Sequence, residues 1–304
     1  MSLDSIVSRL REALPELVIL EHEPMSKHTS FRIGGPIRAL VQPASAAETA
    51  EVCRVLREAG VSPLLLGNGT NLLVTDQPLE RIAVQFGERF SAFENPGENR
   101  VRAQAGITLA RFALEAQKLG LAGLEFAHGI PGSLGGGVSM NAGAYGGELK
   151  DVITETLYLD EALQLRTAVG AEHDFAYRRS AFSDKNLVIL ESTVALTPDD
   201  PEAIMERMMT LREKRRASQP LDMPSAGSTF KRPVGGYAAA LIDQAGLKGF
   251  AIGGAQVSEK HGGFVINRGG ATFDDVLRLI DHIRNEVFKM SGISLETEVK
   301  IIRG

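Results

Sequence analysis

Gly129-Ile130-Pro131-Gly132-Ser133-Leu134-Gly135-Gly136-Gly137 is the stretch on which the reading of this chain turns. It runs on through Ser139, Asn141-Ala142-Gly143-Ala144 and Tyr145-Gly146-Gly147. Glycine loses much conformational freedom in regular structure and is useful where backbone turns sharply or comes close to a ligand. So dense a run predicts a loop rather than a core helix or strand, one able to point several N–H groups at a phosphate. Packing alone explains so many glycines poorly. A second stretch, Leu64-Leu65-Leu66-Gly67-Asn68-Gly69-Thr70-Asn71-Leu72, reads as a buried strand entering a small, polar turn. Alone it could be no more than a tight turn. The two together predict a ligand with a long phosphate-bearing body, such as a dinucleotide.

The flanking sequence sets bounds on the class. A chain of 304 residues predicts two or three domains. With 43% hydrophobic and 23% charged residues it reads as an ordinary globular protein. A net charge of −5 gives no electrostatic reason to expect nucleic acid as a partner. A lone cysteine, Cys53, excludes an internal disulfide and any cysteine-based zinc site, and its place on an amphipathic helix predicts burial. The six histidines show no metal spacing, so no metal is expected. No apolar run reaches membrane-spanning length and the N-terminus lacks a signal-peptide pattern, so the expected location is the cytoplasm.

Periodicity supplies the elements. Helices are predicted over 3–14, from a Ser45–Glu48 capping box to Gly60, from Thr108 to Gly120, over 202–217 and 237–245, and after Thr272. The last carries Val276, Leu277, Ile280, Ile283 and Val287 on one face. Strands are predicted within 28–42, at 63–66, Ile82–Phe86 and Val101–Ala105, near 152–159, 163–169 and 187–196, near 250–257 and 263–267, and over Leu295–Ile302. Glu94-Asn95-Pro96-Gly97 reads as a turn and Thr197-Pro198-Asp199-Asp200-Pro201 as the clearest linker. The segment 152–196 reads as mixed or antiparallel sheet.

Familiar nucleotide motifs fail. Leu72 stands where a Rossmann fingerprint needs its third glycine, and the expected βαβ continuation is missing. No P-loop sequence and no Gly-x-Ser-x-Gly elbow occur. Three polar segments remain. Tyr177-Arg178-Arg179-Ser180 offers an arginine fork suited to a carboxylate or phosphate, with a surface arginine as the plainer reading. Ser225-Ala226-Gly227-Ser228-Thr229-Phe230-Lys231-Arg232-Pro233 combines small residues, hydroxyls and cations, as a site or a plain loop. Glu298, in the terminal strand, reads alone as a solvated charge.

These segments, taken in order, resemble the UDP-N-acetylenolpyruvoylglucosamine reductase (MurB) family almost from end to end. Thr29-Ser30-Phe31-Arg32-Ile33-Gly34-Gly35 is similar to its N-terminal signature. The runs Gly67–Leu72 and Gly129–Ser133 resemble its FAD pyrophosphate loops, and Asn141–Gly146 the stretch near the flavin. Tyr177-Arg178-x-Ser180, Gly227-Ser228-x-Phe230-x-x-Pro233 and Glu298-Val299-Lys300-Ile301-Ile302 resemble its three catalytic segments. Lys300 departs from the pattern, standing where arginine is common.

The resemblance implies an α+β FAD-binding fold of the vanillyl-alcohol-oxidase/PCMH type, with a C-terminal α/β substrate-binding subdomain. It implies FAD-binding subdomains at 1–78 and 79–205, the C-terminal strand 291–304 returning to the second, and a substrate subdomain at 206–290. No tyrosine-bearing insertion lies between 169 and 201, as in the shorter type II form. The implied reaction reduces UDP-N-acetylglucosamine enolpyruvate to UDP-N-acetylmuramate for peptidoglycan synthesis. NADPH would supply a hydride to N5 of non-covalently held FAD, and the flavin would pass it to the enolpyruvyl CH2 carbon.

Carried over residue by residue, Ser228 would protonate the resulting enolate, Arg178 would stabilise it, and Glu298 would hydrogen-bond it or assist proton delivery. Cofactor contacts are implied at Arg32, Gly67, Asn68, Gly69, Thr70, Asn71, Leu72, Gly129, Ile130, Pro131, Gly132, Ser133, Gly135, Asn141, Ala142, Gly143, Ala144 and Gly146. Substrate contacts are implied at Tyr145, Arg215, Arg216, Lys231, Lys260 and Asn267. The partners are then small molecules, with no nucleic acid and no membrane insertion. The alternatives are another FAD-linked oxidoreductase of this fold acting on a hydroxy acid or sugar, and a non-catalytic flavin or nucleotide-sugar binding protein. The first leaves Ser228 and Glu298 unexplained; the second would bind ligand without NADPH-dependent bleaching of the flavin.

Overall fold

A computed structural model describes residues 2–304. The chain forms two compact units, each built from three separated segments. The first comprises Met1–Glu21, Arg38–Asn68 and Arg81–Glu213; the second comprises His22–Ile37, Gly69–Glu80 and Lys214–Gly304. Each has its own apolar core.

In the first unit a five-stranded antiparallel sheet takes the order Leu165–Val169, Ile153–Leu159, Val188–Ala195, Arg100–Gln104, Phe93–Gly97. The antiparallel reading of 152–196 is therefore correct. A four-stranded sheet orders Val18–Pro24, Pro36–Gln42, Leu79–Gln85 and Leu64–Leu66, with the last pair parallel. Helices Leu3–Ala13, Ala46–Glu58 and Leu109–Lys118 bury faces in the core, through residues such as Ile6, Leu10, Val52, Leu56 and Phe112. Ser45 caps its helix by accepting from the Glu48 amide, while the Glu48 carboxylate reaches back to the Ala44 amide, one residue before the expected partner.

In the second unit the strands Ser225–Ser228, Phe264–Asn267, Ala255–Val257 and Ala251–Ile252 form an antiparallel sheet. Helix Phe273–Ser291 is opened by a reciprocal Thr272–Asp275 capping box and closed by Gly292 at φ 70°. Its buried face is Val276, Leu279, Ile280, Ile283 and Val287, so Leu279 replaces the expected Leu277, which is only partly buried. Lys300–Ile302 pairs in parallel with Leu72–Val74. The C-terminal strand thus joins a segment before residue 79, rather than the 79–205 stretch to which it was expected to return.

Several local expectations change. Only Pro36–Gln42 is strand within 28–42. Glu94–Gly97 belongs to a strand, and the turn is Glu98-Asn99, both at positive φ, as a tight hairpin requires. Thr197–Pro198 is no linker: it pairs with Leu121–Ala122 inside the first unit, and the chain passes to the second within the helix Pro201–Ser218. The strand expected near 250–257 is split at Gly253-Gly254, and that expected over Leu295–Ile302 is confined to Lys300–Ile302. Among the described residues no helix is long and apolar enough to cross a membrane.

Cys53 is 5% exposed, and burial pushes its thiol up from an ordinary 9.0 to about 11. The neutral thiol then favours the fold up to pH 9, and that contribution is lost as pH rises through 11, because the unfolded chain gives up the proton first. At pH 8 Ellman's reagent should react with Cys53 only as the protein unfolds. Rapid release of one equivalent from folded protein would contradict this burial.

Candidate active site

The site residues are built up unit by unit. In the first, the chain 129–137 is not a loop throughout: Leu134–Ser139 forms a short helix capped by Ser133, whose Oγ accepts from the Gly136 amide. The glycines there are largely a packing device. A side chain at Gly135 would run into Ala105, at Gly137 into Leu149, at Gly143 into Glu148 and at Gly147 into the Phe126 ring. The expectation that packing could not explain this density is wrong at these four positions.

What remains free for a ligand is the backbone before the helix. Leu109 donates to the Gly132 carbonyl and Leu134 to the Ile107 carbonyl, which pins the turn. Among the described residues the amides of Gly129 and Ser133 meet no protein acceptor. The same holds for four successive amides, Asn68 to Asn71, where the chain passes from the first unit to the second. Gly69 stands at φ 59°, and a Cβ there would overlap the His28 carbonyl; one at Gly67 would overlap Ser133 Oγ. Unsatisfied amides on glycine-held turns suit a diphosphate. The residues present fit FAD in this respect.

Tyr177 and Arg178 form the tip of a turn closed by two backbone bonds, Ala176 N–H to the Arg179 carbonyl (3.0 Å) and Arg179 N–H to the Ala176 carbonyl (3.2 Å). Arg178 occupies the left-handed region, φ 55°, where such a turn ordinarily takes glycine. Its guanidinium donates to the Gly143 carbonyl at 3.3 Å and lies 5.2 Å from the Tyr177 ring centre. Arg32, Asn141 and Tyr145 also have positive φ, at 56°, 46° and 54°. Such strain concentrates where a side chain is held for a task.

Asn141 is fully buried and spends its side chain on the protein. It donates to Glu148 and to the Ala176 carbonyl, both at 3.0 Å, and accepts from Lys150 N–H at 3.0 Å. Its role is to brace the Arg178 turn. The Glu148 carboxyl is held low chiefly by its bond to Lys150, with Arg178 also contributing. His128, beside Gly129, has a buried Nδ1 without a hydrogen-bond partner, and burial, with the nearby Arg212 charge, lowers its pKa.

In the second unit the strand Ser225–Ser228 pairs with Phe264–Asn267 through a bulge, Ser225 opposite Ile266 and Ser228 opposite Phe264. Gly227, at φ 75°, takes up the bend, and Ser228 ends exposed. Thr229, which no sequence signal singled out, is the clamp. Its carbonyl accepts from Glu298 N–H at 2.9 Å, its Oγ1 from Val265 N–H at 3.1 Å, and its own amide donates to the Gly263 carbonyl at 2.8 Å. Phe230 bridges to Thr297, so Ser228 and Glu298 arise from two adjoining backbone segments. Asn71 completes the group: its side chain donates to the Glu298 carbonyl at 3.1 Å and its carbonyl accepts from Lys300 N–H at 2.9 Å. Ser30 Oγ donates to the Ser225 carbonyl at 2.6 Å, tying in the N-terminal signature.

The expected substrate contacts of this unit are partly committed elsewhere. Asn267 donates to the Phe31 carbonyl and accepts from the Gly269 and Ala271 amides. Lys231 pairs with Glu296, and Lys260 donates to the Arg216 carbonyl. Arg216 is exposed and Arg215 partly buried.

Comparison with known proteins bears on this arrangement. Residues 36–162 match the family described as FAD binding domain, and residues 219–302 that described as UDP-N-acetylenolpyruvoylglucosamine reductase, C-terminal domain. A UDP-N-acetylenolpyruvoylglucosamine reductase of Caldanaerobacter subterraneus is 44% identical over 98% of both chains, and one of Agathobacter rectalis 42% over 98% of both. The crystal structure of the Thermus caldophilus reductase superposes with a TM-score of 0.81 at 30% identity, covering 95% of this chain and 99% of that one. The fold is the FAD-binding fold of the vanillyl-alcohol-oxidase/PCMH type with a C-terminal α/β part, and the class is FAD-dependent oxidoreductase. Within that class, the chain belongs to the UDP-N-acetylenolpyruvoylglucosamine reductase family.

Gly67→Ala tests the close approach of Gly67 to the Ser133 side chain within the first unit. The added methyl would collide with Ser133 Oγ, so the variant should hold FAD at least about tenfold more weakly, a loss of roughly 1.4 kcal/mol. Quenching of flavin fluorescence on titration would measure it, and wild-type affinity would show that this contact does not shape the loop.

Proposed function

We propose that this chain reduces UDP-N-acetylglucosamine enolpyruvate to UDP-N-acetylmuramate with NADPH, in the cytoplasm, as a step of peptidoglycan synthesis. The observation that carries the reading is the Thr229 clamp, which brings Ser228 and Glu298 onto adjoining backbone segments beside the Asn71 loop. Another FAD-linked oxidoreductase acting on a hydroxy acid or sugar would leave Ser228 and Glu298 without a role.

Bound FAD would supply the hydride-transfer chemistry between NADPH and the enolpyruvyl CH2 carbon. In the first unit the open amides of Asn68, Gly129 and Ser133 would hold its diphosphate, and those of Gly69–Asn71 in the second unit are likewise open to phosphate. Arg178, fixed in its strained turn, donates charge-assisted hydrogen bonds to the substrate carboxylate, onto which negative charge spreads after hydride addition. Ser228 holds a proton on Oγ and delivers it to the carbon next to the carboxylate, setting the lactyl stereocentre. A serine hydroxyl is a weak acid, but an enolate carbon is a strong enough base to take its proton where geometry is fixed. Glu298, one backbone bond from Thr229, hydrogen-bonds the reacting group. Arg215, Arg216, Lys231 and Lys260 supply positive charge for the diphosphate of UDP or the phosphates of NADPH.

Two substitutions test these roles. Ser228→Ala should leave flavin reduction by NADPH within about twofold and slow reoxidation by the enolpyruvyl substrate by about a hundredfold or more. Equal damage to both half-reactions would remove Ser228 from proton delivery. Arg178→Lys should slow reoxidation by at least about tenfold, since an ammonium cannot reproduce the planar fork. Near-normal turnover would remove Arg178 from the mechanism.

A further inference from the structure

His173 is fully buried in the first unit, 0% exposed, and the mechanism above gives it nothing to do. Both ring nitrogens are nevertheless used. Nδ1 lies 3.0 Å from the Gly170 carbonyl and Nε2 3.0 Å from Thr156 Oγ1. A carbonyl can only accept, so Nδ1 carries a proton; with the ring neutral, Nε2 accepts from the Thr156 hydroxyl. Thr156 Oγ1 in turn lies 3.0 Å from Ser192 Oγ, which in that arrangement donates to it. Thr156 and Ser192 face one another directly across the antiparallel strands Ile153–Leu159 and Val188–Ala195, both buried. The result is a one-way chain, Ser192 to Thr156 to His173 to the Gly170 carbonyl. The ring is also stacked on Phe175, centroids 4.9 Å apart and planes 9° from parallel, and meets the edge of Phe182 at 6.1 Å.

The backbone of His173 closes the loop that ends in Arg178. Its carbonyl accepts from Ala181 N–H at 2.7 Å, so residues 174–180 form a loop pinned at its neck. Further along, Ser180 Oγ and Ser183 Oγ both donate to the Ser139 carbonyl, at 2.7 and 2.6 Å, and Asn141 holds the Ala176 carbonyl. Inside that frame Asp174 and Arg178 both sit in the left-handed region. A non-glycine residue leaves that region unless its surroundings hold it there. The Ser139 and Asn141 bonds fix one side of the loop; on the other, the His173 side chain fixes where its own carbonyl stands. An apolar residue would fill the same space without specifying that position.

We infer that His173 is a positioning residue for the reaction, which through the buried Thr156–Ser192 chain and the Ala181 bond holds Arg178 in its strained turn. The inference rests on the reading of Arg178 as the group that stabilises charge on the substrate. A displacement of the order of an ångström at such a group slows a reaction by as much as about a hundredfold.

The test uses the flavin-loaded enzyme. His173→Phe keeps the aromatic packing and removes both ring hydrogen bonds. It should retain FAD and be reduced by NADPH at the wild-type rate within about twofold, while reoxidation by saturating enolpyruvyl substrate slows by about tenfold or more. Hydrogen exchange at the Ala181 amide should quicken with or without substrate. Thr156→Val should act in the same direction and Thr156→Ser, which keeps the hydroxyl, should not; this pair serves where His173→Phe folds poorly. In an Arg178→Ala background the Thr156 or His173 change should slow reoxidation no further, because the residue it positions is gone. A reoxidation rate in Thr156→Val equal to that in Thr156→Ser, or an undiminished effect in the Arg178→Ala background, would overturn the inference. If Arg178→Ala itself leaves reoxidation intact, it is the role of Arg178 that fails, whatever His173 does.

Discussion

The hydrogen bonds of Asn71 to the C-terminal segment are the contact on which the second unit's candidate site depends. A side-chain amide bonded to the Glu298 carbonyl and a main-chain carbonyl bonded to Lys300 N–H hold together segments 227 residues apart in sequence. The parallel pairing of Leu72–Val74 with Lys300–Ile302 continues from the same point. Glu298 is thereby fixed against Thr229, and Ser228 follows Gly227 out of a bulge at that junction. An arrangement with this many long-range bonds has a high loop-closure cost, which the buried faces of Phe31, Leu73, Phe230, Leu295 and Val299 offset.

Much of the frame was legible in the sequence because its signals are local. Helical spacing and capping chemistry located Ala46–Glu58 and Leu109–Lys118 to within about two residues, and the start of Phe273–Ser291. Alternation located the antiparallel strands. The errors lie where long-range packing decides. Glu94-Asn95-Pro96-Gly97 has the composition of a turn, yet pairing with Arg100–Gln104 draws it into a strand and moves the turn to Glu98-Asn99. Thr197-Pro198 has the composition of a linker and instead adds a two-residue strand beside Leu121–Ala122. Neither partner can be read from its own neighbourhood.

The candidate site divides in the same manner. Ser228, Arg178 and Glu298 were found by resemblance, since no single local motif distinguishes them from surface polar residues. Thr229 and His173 escaped notice because their importance lies in bonds to residues far away in sequence, Val265 and Glu298 for one and Thr156 for the other. The glycines taught the opposite lesson. Their density was obvious, but its main cause at 135, 137, 143 and 147 is the closeness of Ala105, Leu149, Glu148 and Phe126, which only the fold reveals. What these turns leave open is instead backbone, the unsatisfied amides of Asn68, Gly129 and Ser133 in the first unit and of Gly69–Asn71 in the second.

The most direct measurement follows the visible flavin band of the purified wild-type protein without oxygen, adding first NADPH and then UDP-N-acetylglucosamine enolpyruvate. The account predicts bleaching by NADPH, recovery of the band on adding the enolpyruvyl compound, and UDP-N-acetylmuramate as the product. A protein that carries no flavin, or one that bleaches and does not recover with this substrate, would contradict it.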